Sequence, residues 1–145
     1  MQNQSIGVAC MLTVAGILPF FLLEMAAVSH PQGGDFQSAF FTYAAVIIAF
    51  ICGMHWGICF FFSEKKLPQL LLHSNAITLL GWAACCLRSA TWALIIQSGC
   101  FIYLLGLDVL LHRGGVLPTW FFKLRVMVTA VVVVVFGVGG WFVFV

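Results

Sequence analysis

The residues best suited to chemistry in this chain lie in an apolar segment, where a histidine stands between two cysteines. Cys52 precedes His55 by three positions and Cys59 follows it by four, so a helix would place the three side chains on one face. Thiolate and imidazole groups are ligands for zinc, copper(I) and haem iron. This face is therefore a candidate metal site. The candidate is weak, because no second histidine is expected at the same depth.

A simpler interpretation is that His55 forms hydrogen bonds inside the protein. Asn75, Thr78 and Trp82 share one face of a later apolar segment and are its candidate partners. We accordingly expect no cofactor. Haem or a quinone at His55 remains the alternative.

Charged residues beside apolar segments form further candidate pairs. Asp108 and Arg125 should reach a similar depth in a helical hairpin, with Lys123 as an alternative partner, and Glu24 and Arg88 should meet at the opposite level. A charge in hydrocarbon costs about 2.5–3.5 kcal/mol, so each needs a partner. We expect these pairs to hold the helices in register. The alternative is a proton or ion relay.

The composition of the chain indicates what kind of protein carries these residues. Of 145 residues, 63% are hydrophobic and 7% charged, whereas soluble domains carry about 25% charged residues. So little charge cannot cover a water-facing surface, which predicts a multi-pass membrane protein. The net charge of +2 gives no reason to expect nucleic-acid binding. The N-terminus lacks a basic, amphipathic targeting segment, which favours a bacterial inner membrane.

The apolar segments predict an all-α bundle of five transmembrane helices in a single domain over residues 1–145. The helices are expected at about 5–28, 38–62, 68–87, 91–111 and 119–145. Pro19 should kink the first helix, because it removes one backbone hydrogen bond. Apart from Arg88, the Lys and Arg residues lie on one side of this topology, which predicts an N-in, C-out orientation.

Small residues repeat along the second predicted helix. Ala49, Gly53 and Gly57 recur at every fourth position, a pattern that lets helix backbones approach closely. The stripe predicts helix packing, including self-association through this helix. The adjacent pair Cys85 and Cys86 is expected to serve packing rather than redox chemistry.

Three segments together resemble a known family. They are Ala15-Gly-Ile-Leu-Pro-Phe20, Gly53-Met-His-Trp-Gly57, and the run from Gly115 to Arg125 that contains Leu-Pro-Thr-Trp. The chain resembles the transmembrane-protein-69-like family, a domain-of-unknown-function family of small five-helix membrane proteins. The family often has Gly-Gly before the histidine, and here Cys52 departs from that pattern. The resemblance implies the fold and marks signature positions without assigning an activity: Pro19, His55, Trp56, Asp108, Pro118, Trp120 and Arg125.

No nucleophile motif, phosphate-binding loop or other catalytic constellation stands out, and we expect a non-enzymatic protein. Its predicted partners are the lipid bilayer and other membrane subunits, or a second copy of the chain. The leading hypothesis is an accessory or assembly subunit of a larger membrane complex, for example a respiratory one. One alternative is a small ion, proton or solute carrier that uses Asp108, Arg125 and His55. The other is a haem- or quinone-linked redox protein that uses His55.

Overall fold

The computed structural model describes residues 2–29, 33–61 and 67–144, with only the helical backbone at residues 2–5, 33, 67 and 140–144. Phe62 and Val145, at the ends of two predicted helices, lie outside these ranges. The described residues form six helices and no strand. The helices are α1 (Gln2–Ala15), α2 (Leu18–Ser29), α3 (Gly33–Phe61), α4 (Leu67–Cys85), α5 (Ala90–Arg113) and α6 (Thr119–Phe144).

The first predicted helix is divided by a turn at Gly16 and Ile17. Pro19 has no backbone N–H to donate, and the N–H of Phe20 bonds to the Ile17 carbonyl at 3.1 Å instead of continuing an α-helical ladder. The hydroxyl of Tyr43, on α3, donates to the Gly16 carbonyl at 2.8 Å. The kink expected at Pro19 is thus a break between two helices, and a neighbouring helix satisfies a carbonyl that it releases.

Four segments among the described residues are long and apolar enough to cross a membrane. They are Ile6–Ser29, Gly34–Phe61, Ala90–Arg113 and Thr119–Gly139. The α4 helix is not among them, because Gln69, His73, Ser74 and Asn75 lower its hydropathy. These helices confirm the prediction of an all-α, multi-pass membrane protein.

Aromatic packing holds the centre of the bundle together. The α3 helix contacts α2, α4 and α5, while α6 packs against α5 and α2. Phe20, Phe40, Phe101 and Phe136 bring one ring each from α2, α3, α5 and α6, with centroids 5.0–6.3 Å apart. Edge-to-face and tilted contacts of this kind add to the burial of apolar area.

The helix termini define two ends of the bundle. The end of α3, the start of α4 and the α5–α6 connection lie at one end, which we call the basic end because Arg113 and Lys123 are exposed there. The end of α2, the start of α3 and the α4–α5 connection lie at the other end, the distal end. At the basic end Gly115 adopts a left-handed conformation (φ 76°) that closes α5. The His112 Nδ1–H donates to the Leu117 carbonyl at 2.9 Å, which fixes the α5–α6 connection.

Candidate functional site

A buried ionic network near the basic end is centred on the carboxylate of Asp108. Its Oδ1 lies 2.9 Å from Nε2 of His55, and its Oδ2 accepts a hydrogen bond of 2.8 Å from Nε of Arg125. The other ring nitrogen of His55 lies 3.2 Å from the Ser74 hydroxyl. One chain of contacts therefore joins α4, α3, α5 and α6. We call these four residues the Asp108 network.

Helix geometry explains why these residues meet. His55 lies six residues before the end of α3, and Arg125 lies six residues after the start of α6. At 1.5 Å per residue, both are about 9 Å from the basic end. Asp108 and Ser74 lie at similar distances from the ends of α5 and α4 that face this side. Antiparallel hairpins with short connections bring such positions to one level.

The network is shielded from its surroundings. His55, Ser74 and Asp108 have no exposed surface, and Arg125 is 7% exposed. A buried carboxylate needs a positive partner and hydrogen bonds to offset its desolvation. Asp108 has both, because Arg125 balances its charge and His55 occupies its other oxygen.

The contacts suit a neutral imidazole. With the proton on Nε2, His55 donates to Asp108, and its Nδ1 accepts from the Ser74 hydroxyl. Asp108 and Arg125 neutralise each other, so the network then carries no net charge. A second proton on His55 would place an uncompensated positive charge inside the bundle. The arrangement therefore ties four helices together through one continuous chain of polar contacts.

Two buried polar atoms extend this region along α6. Among the described residues, Nη2 of Arg125 and Oγ1 of Thr129 have no hydrogen-bond partner. Thr129 lies one turn beyond Arg125, farther from the basic end. The polar region thus continues past the ion pair toward the middle of the bundle.

The metal interpretation of the Cys52, His55 and Cys59 face finds no support in the geometry. Both ring nitrogens of His55 are directed at other partners, Ser74 and Asp108. In the part of the chain that the structure describes, no group of three or more histidine, cysteine or acidic side chains is placed to hold a metal ion. Ligation by His55 would require it to leave the Asp108 network.

The structure brings some of the predicted partners together and separates others. The expected Asp108–Arg125 pair is present. The expected hydrogen bond from His55 to Asn75, Thr78 or Trp82 is wrong, since the partner on α4 is Ser74. Asn75 and Trp82 are exposed, and the Thr78 hydroxyl donates to the Ser74 carbonyl of its own helix at 2.9 Å.

The expected Glu24–Arg88 pair is also wrong. No ion pair joins these two described residues, and Arg88 is exposed in the α4–α5 connection. The carboxylate of Glu24 instead lies against the backbone of α6 at Gly139, so closely that a Cβ there would be 2.5 Å from Oε1.

The two glycines of the small-residue stripe make no close helix contact with the described residues. Gly53 is exposed, and a Cβ at Gly53 or Gly57 would meet no described atom within 4 Å. Close approach of α3 and α4 occurs at Gly81, where a Cβ would lie 3.2 Å from Ile48. A role for Ala49, Gly53 and Gly57 in self-association stays a prediction.

The remaining signature residues take no part in the hydrogen bonds of the network. Trp56 and Trp120 are 39% and 37% exposed. Pro118 is exposed immediately before α6, where its carbonyl accepts the N–H of Phe122 at 3.1 Å.

The adjacent cysteines Cys85 and Cys86 differ in their surroundings. Cys86 is exposed, whereas Cys85 is half-buried, with its Sγ 3.4 Å from the Phe41 carbonyl.

Sequence reasoning missed three buried polar residues, Ser74, Gln97 and Thr129. Ser74 was overlooked because serine is common in membrane helices. Gln97 has no exposed surface, and its Nε2 donates to the carbonyls of Phe41 at 3.0 Å and Gly81 at 3.3 Å. It ties α5 to α3 and α4 in the distal half. Its signal in the sequence was a lone amide within an apolar span.

Comparison with known proteins assigns the chain to a family but gives no activity for it. Searches of curated proteins and of solved structures give no match. Residues 6–140 match the family model described as "Protein of unknown function (DUF3429)". This match covers nearly the whole chain, and the chain therefore belongs to the DUF3429 family.

Proposed function

We propose that this protein is a non-enzymatic accessory or assembly subunit of a larger membrane complex. It crosses a bacterial inner membrane five times, with its N-terminus inside and its C-terminus outside. The resemblance to the transmembrane-protein-69-like family supports five spans. The basic residues at one end of the bundle support the orientation. A reporter fused after Val145 should be active outside the cytoplasm, and a cytoplasmic signal would contradict this topology.

The observation that carries the proposal is the outward surface of α4. His73 and Asn75 are exposed there, about 9–12 Å along the helix from its start. The His73 ring hydrogen-bonds to the exposed Tyr103, and Asn75 donates to the Leu71 carbonyl of its own helix. Polar side chains that face lipid are unfavourable, whereas another membrane protein can cover them and hydrogen-bond to them.

The closed Asp108 network supports the same proposal. Its His55, Ser74 and Asp108 have no exposed surface, so a substrate would reach none of them without a rearrangement of the helices. The groups best suited to catalysis are thus engaged in holding the bundle together. What remains available to a partner is the lateral surface.

Site-specific photo-crosslinking in intact membranes tests this. A photoreactive residue at Leu79 reports on α4, and one at Val134 on α6 is a matched control, since both positions are 64% exposed. We expect a protein adduct of defined mass from Leu79 and only lipid adducts from Val134. Lipid adducts alone at both sites, together with recovery as a lone monomer in mild detergent, would reject the proposal.

A second candidate function, proton transfer, is favoured by the polar atoms beyond the ion pair. Arg125 Nη2 and Thr129 Oγ1 continue the polar region away from the basic end. A carrier of this kind should conduct protons in liposomes, and Asp108→Asn should abolish conduction when it is compared at equal amounts of folded protein. Conduction equal to that of empty liposomes would exclude it.

A further inference from the structure

A cavity at the distal end has features of a binding site that the Asp108 network lacks. It measures about 270 Å³ and is bounded by residues of α2, α3, α5 and α6. Its lining includes the side chains of Glu24, Gln37, Phe40 and Phe41, and the backbone at Gly139. The size is close to the lower limit of small-molecule sites, about 300 Å³, which suits a small ligand.

The carboxylate of Glu24 gives this cavity its charge. No hydrogen bond or ion pair joins Glu24 to another described residue. Gly139 makes room for the carboxylate, since a Cβ at that position would lie 2.5 Å from one carboxylate oxygen and 2.9 Å from the other. A half-buried carboxylate at the end of an apolar bundle is thus held in place without a counter-charge.

The other lining groups favour a positively charged ligand. No lysine, arginine or histidine lines the cavity within the described ranges. The Gln37 amide supplies a hydrogen-bond acceptor, and the rings of Phe40 and Phe41 supply apolar surface that also attracts cations. An anion would meet the Glu24 charge with nothing to offset it.

We propose that this cavity binds a monovalent organic cation, an ammonium group with apolar substituents. The ammonium lies at the Glu24 carboxylate, and its substituents contact Phe40 and Phe41. Because the cavity is at an end of the bundle, the ammonium comes either from a small soluble amine or from the head group of an amine-containing lipid. This site is independent of the proposed partner surface on α4.

Binding of benzyltrimethylammonium to the full chain in phosphatidylglycerol nanodiscs tests the site. Neopentylbenzene, which has the same shape without the charge, is the matched neutral ligand. We expect the cation to bind at least tenfold more tightly than the neutral compound. Equal binding of the two, or no saturable binding of the cation, would overturn the proposal.

Two variants assign the charge to Glu24. Glu24→Gln should weaken cation binding at least tenfold, whereas Asp35→Asn should change it less than twofold. Asp35 is an exposed carboxylate at the same end that does not line the cavity. Equal effects of the two substitutions would show that the cation binds through the general negative charge of the distal end, and this result would reject the site.

A third variant tests the role of Gly139. Gly139→Ala should weaken cation binding by displacing the Glu24 carboxylate, and thermal unfolding should show that the bundle still forms. Unchanged binding in a folded Gly139→Ala protein would contradict the geometry on which the site rests.

Adding phosphatidylethanolamine to the nanodiscs identifies the natural source of the cation. Competition with the probe in the wild-type protein indicates a lipid head group, and its absence indicates a soluble amine. Crosslinking at Leu79 should be unaffected by Glu24→Gln, so the cavity and the proposed α4 partner are tested separately.

Discussion

Asp108 and Glu24 are carboxylates on apolar helices at opposite ends of the bundle, and their surroundings differ in almost every respect. Asp108 has no exposed surface, and its two oxygens contact Arg125 and His55. Glu24 is half-buried beside a cavity, lies against Gly139 and has no ion-pair partner among the described residues.

The difference shows two ways in which a membrane helix accommodates a negative charge. At the basic end the charge is neutralised inside the protein, and the two partners of the carboxylate come from α3 and α6. At the distal end the charge stays near the surface, where a cavity leaves room for an external cation. The first arrangement contributes stability, and the second contributes binding capacity.

The largest effect is expected at Asp108. Replacing it with Asn leaves the buried Arg125 without a counter-charge, which should destabilise the protein by about 3–5 kcal/mol. Unfolding in detergent, followed by circular dichroism, measures this loss. Removing both charges in Asp108→Asn/Arg125→Met should recover part of it. A loss below about 1 kcal/mol for Asp108→Asn would show that the ion pair is not what holds this end together.

A smaller loss is expected at His55. His55→Leu leaves Ser74 and one oxygen of Asp108 without partners but keeps the ion pair, so it should cost about 1–3 kcal/mol. The control His73→Leu changes an exposed histidine on α4 and should stay within about 0.5 kcal/mol. Equal losses in the two variants would mean that the hydrogen bonds of His55 contribute nothing beyond those of an exposed ring.

A variant of Gln97 compares the stabilisation from neutral hydrogen bonds between helices with that from the Asp108–Arg125 ion pair. Gln97→Leu removes hydrogen bonds to α3 and α4 in the distal half and should cost about 0.5–1.5 kcal/mol. Gln69→Leu, at an exposed position of α4, is the reference. Thermal unfolding of the two variants side by side measures the difference. A loss of stability as large as that of Asp108→Asn would show that the polar contacts of the distal half stabilise the bundle as much as the Asp108 network does.

The smallest effect is expected at Glu24. Glu24→Gln removes a charge that has no described partner, so stability should change by no more than about 0.5 kcal/mol. The same unfolding assay without added ligand gives this value. A loss comparable to that of Asp108→Asn would contradict the contrast between the two carboxylates.

The sequence was sufficient for the helical segments and for the depth of the polar residues, and insufficient for their rotation about the bundle. Depth follows from counting residues from a connection, which correctly paired Asp108 with Arg125. Rotation changes by about 100° per residue, so an error of one position exchanges Ser74 for Asn75. The predicted Glu24–Arg88 pair failed because the Glu24 carboxylate lies against Gly139 of α6, while Arg88 is exposed in the α4–α5 connection. A kink at Pro19 was expected, whereas the break into two helices and the hydrogen bond from Tyr43 to Gly16 depend on packing between helices.

The order of residues in the Asp108 network has a consequence for synthesis of the chain. Arg125 follows Asp108 by 17 residues. At a translation rate of about 5–20 residues per second, Asp108 is made about 1–3 s before its cationic partner exists. His55, on a helix made earlier, is available throughout this interval. Of the two residues that contact the Asp108 carboxylate, His55 is therefore made before it and Arg125 after it.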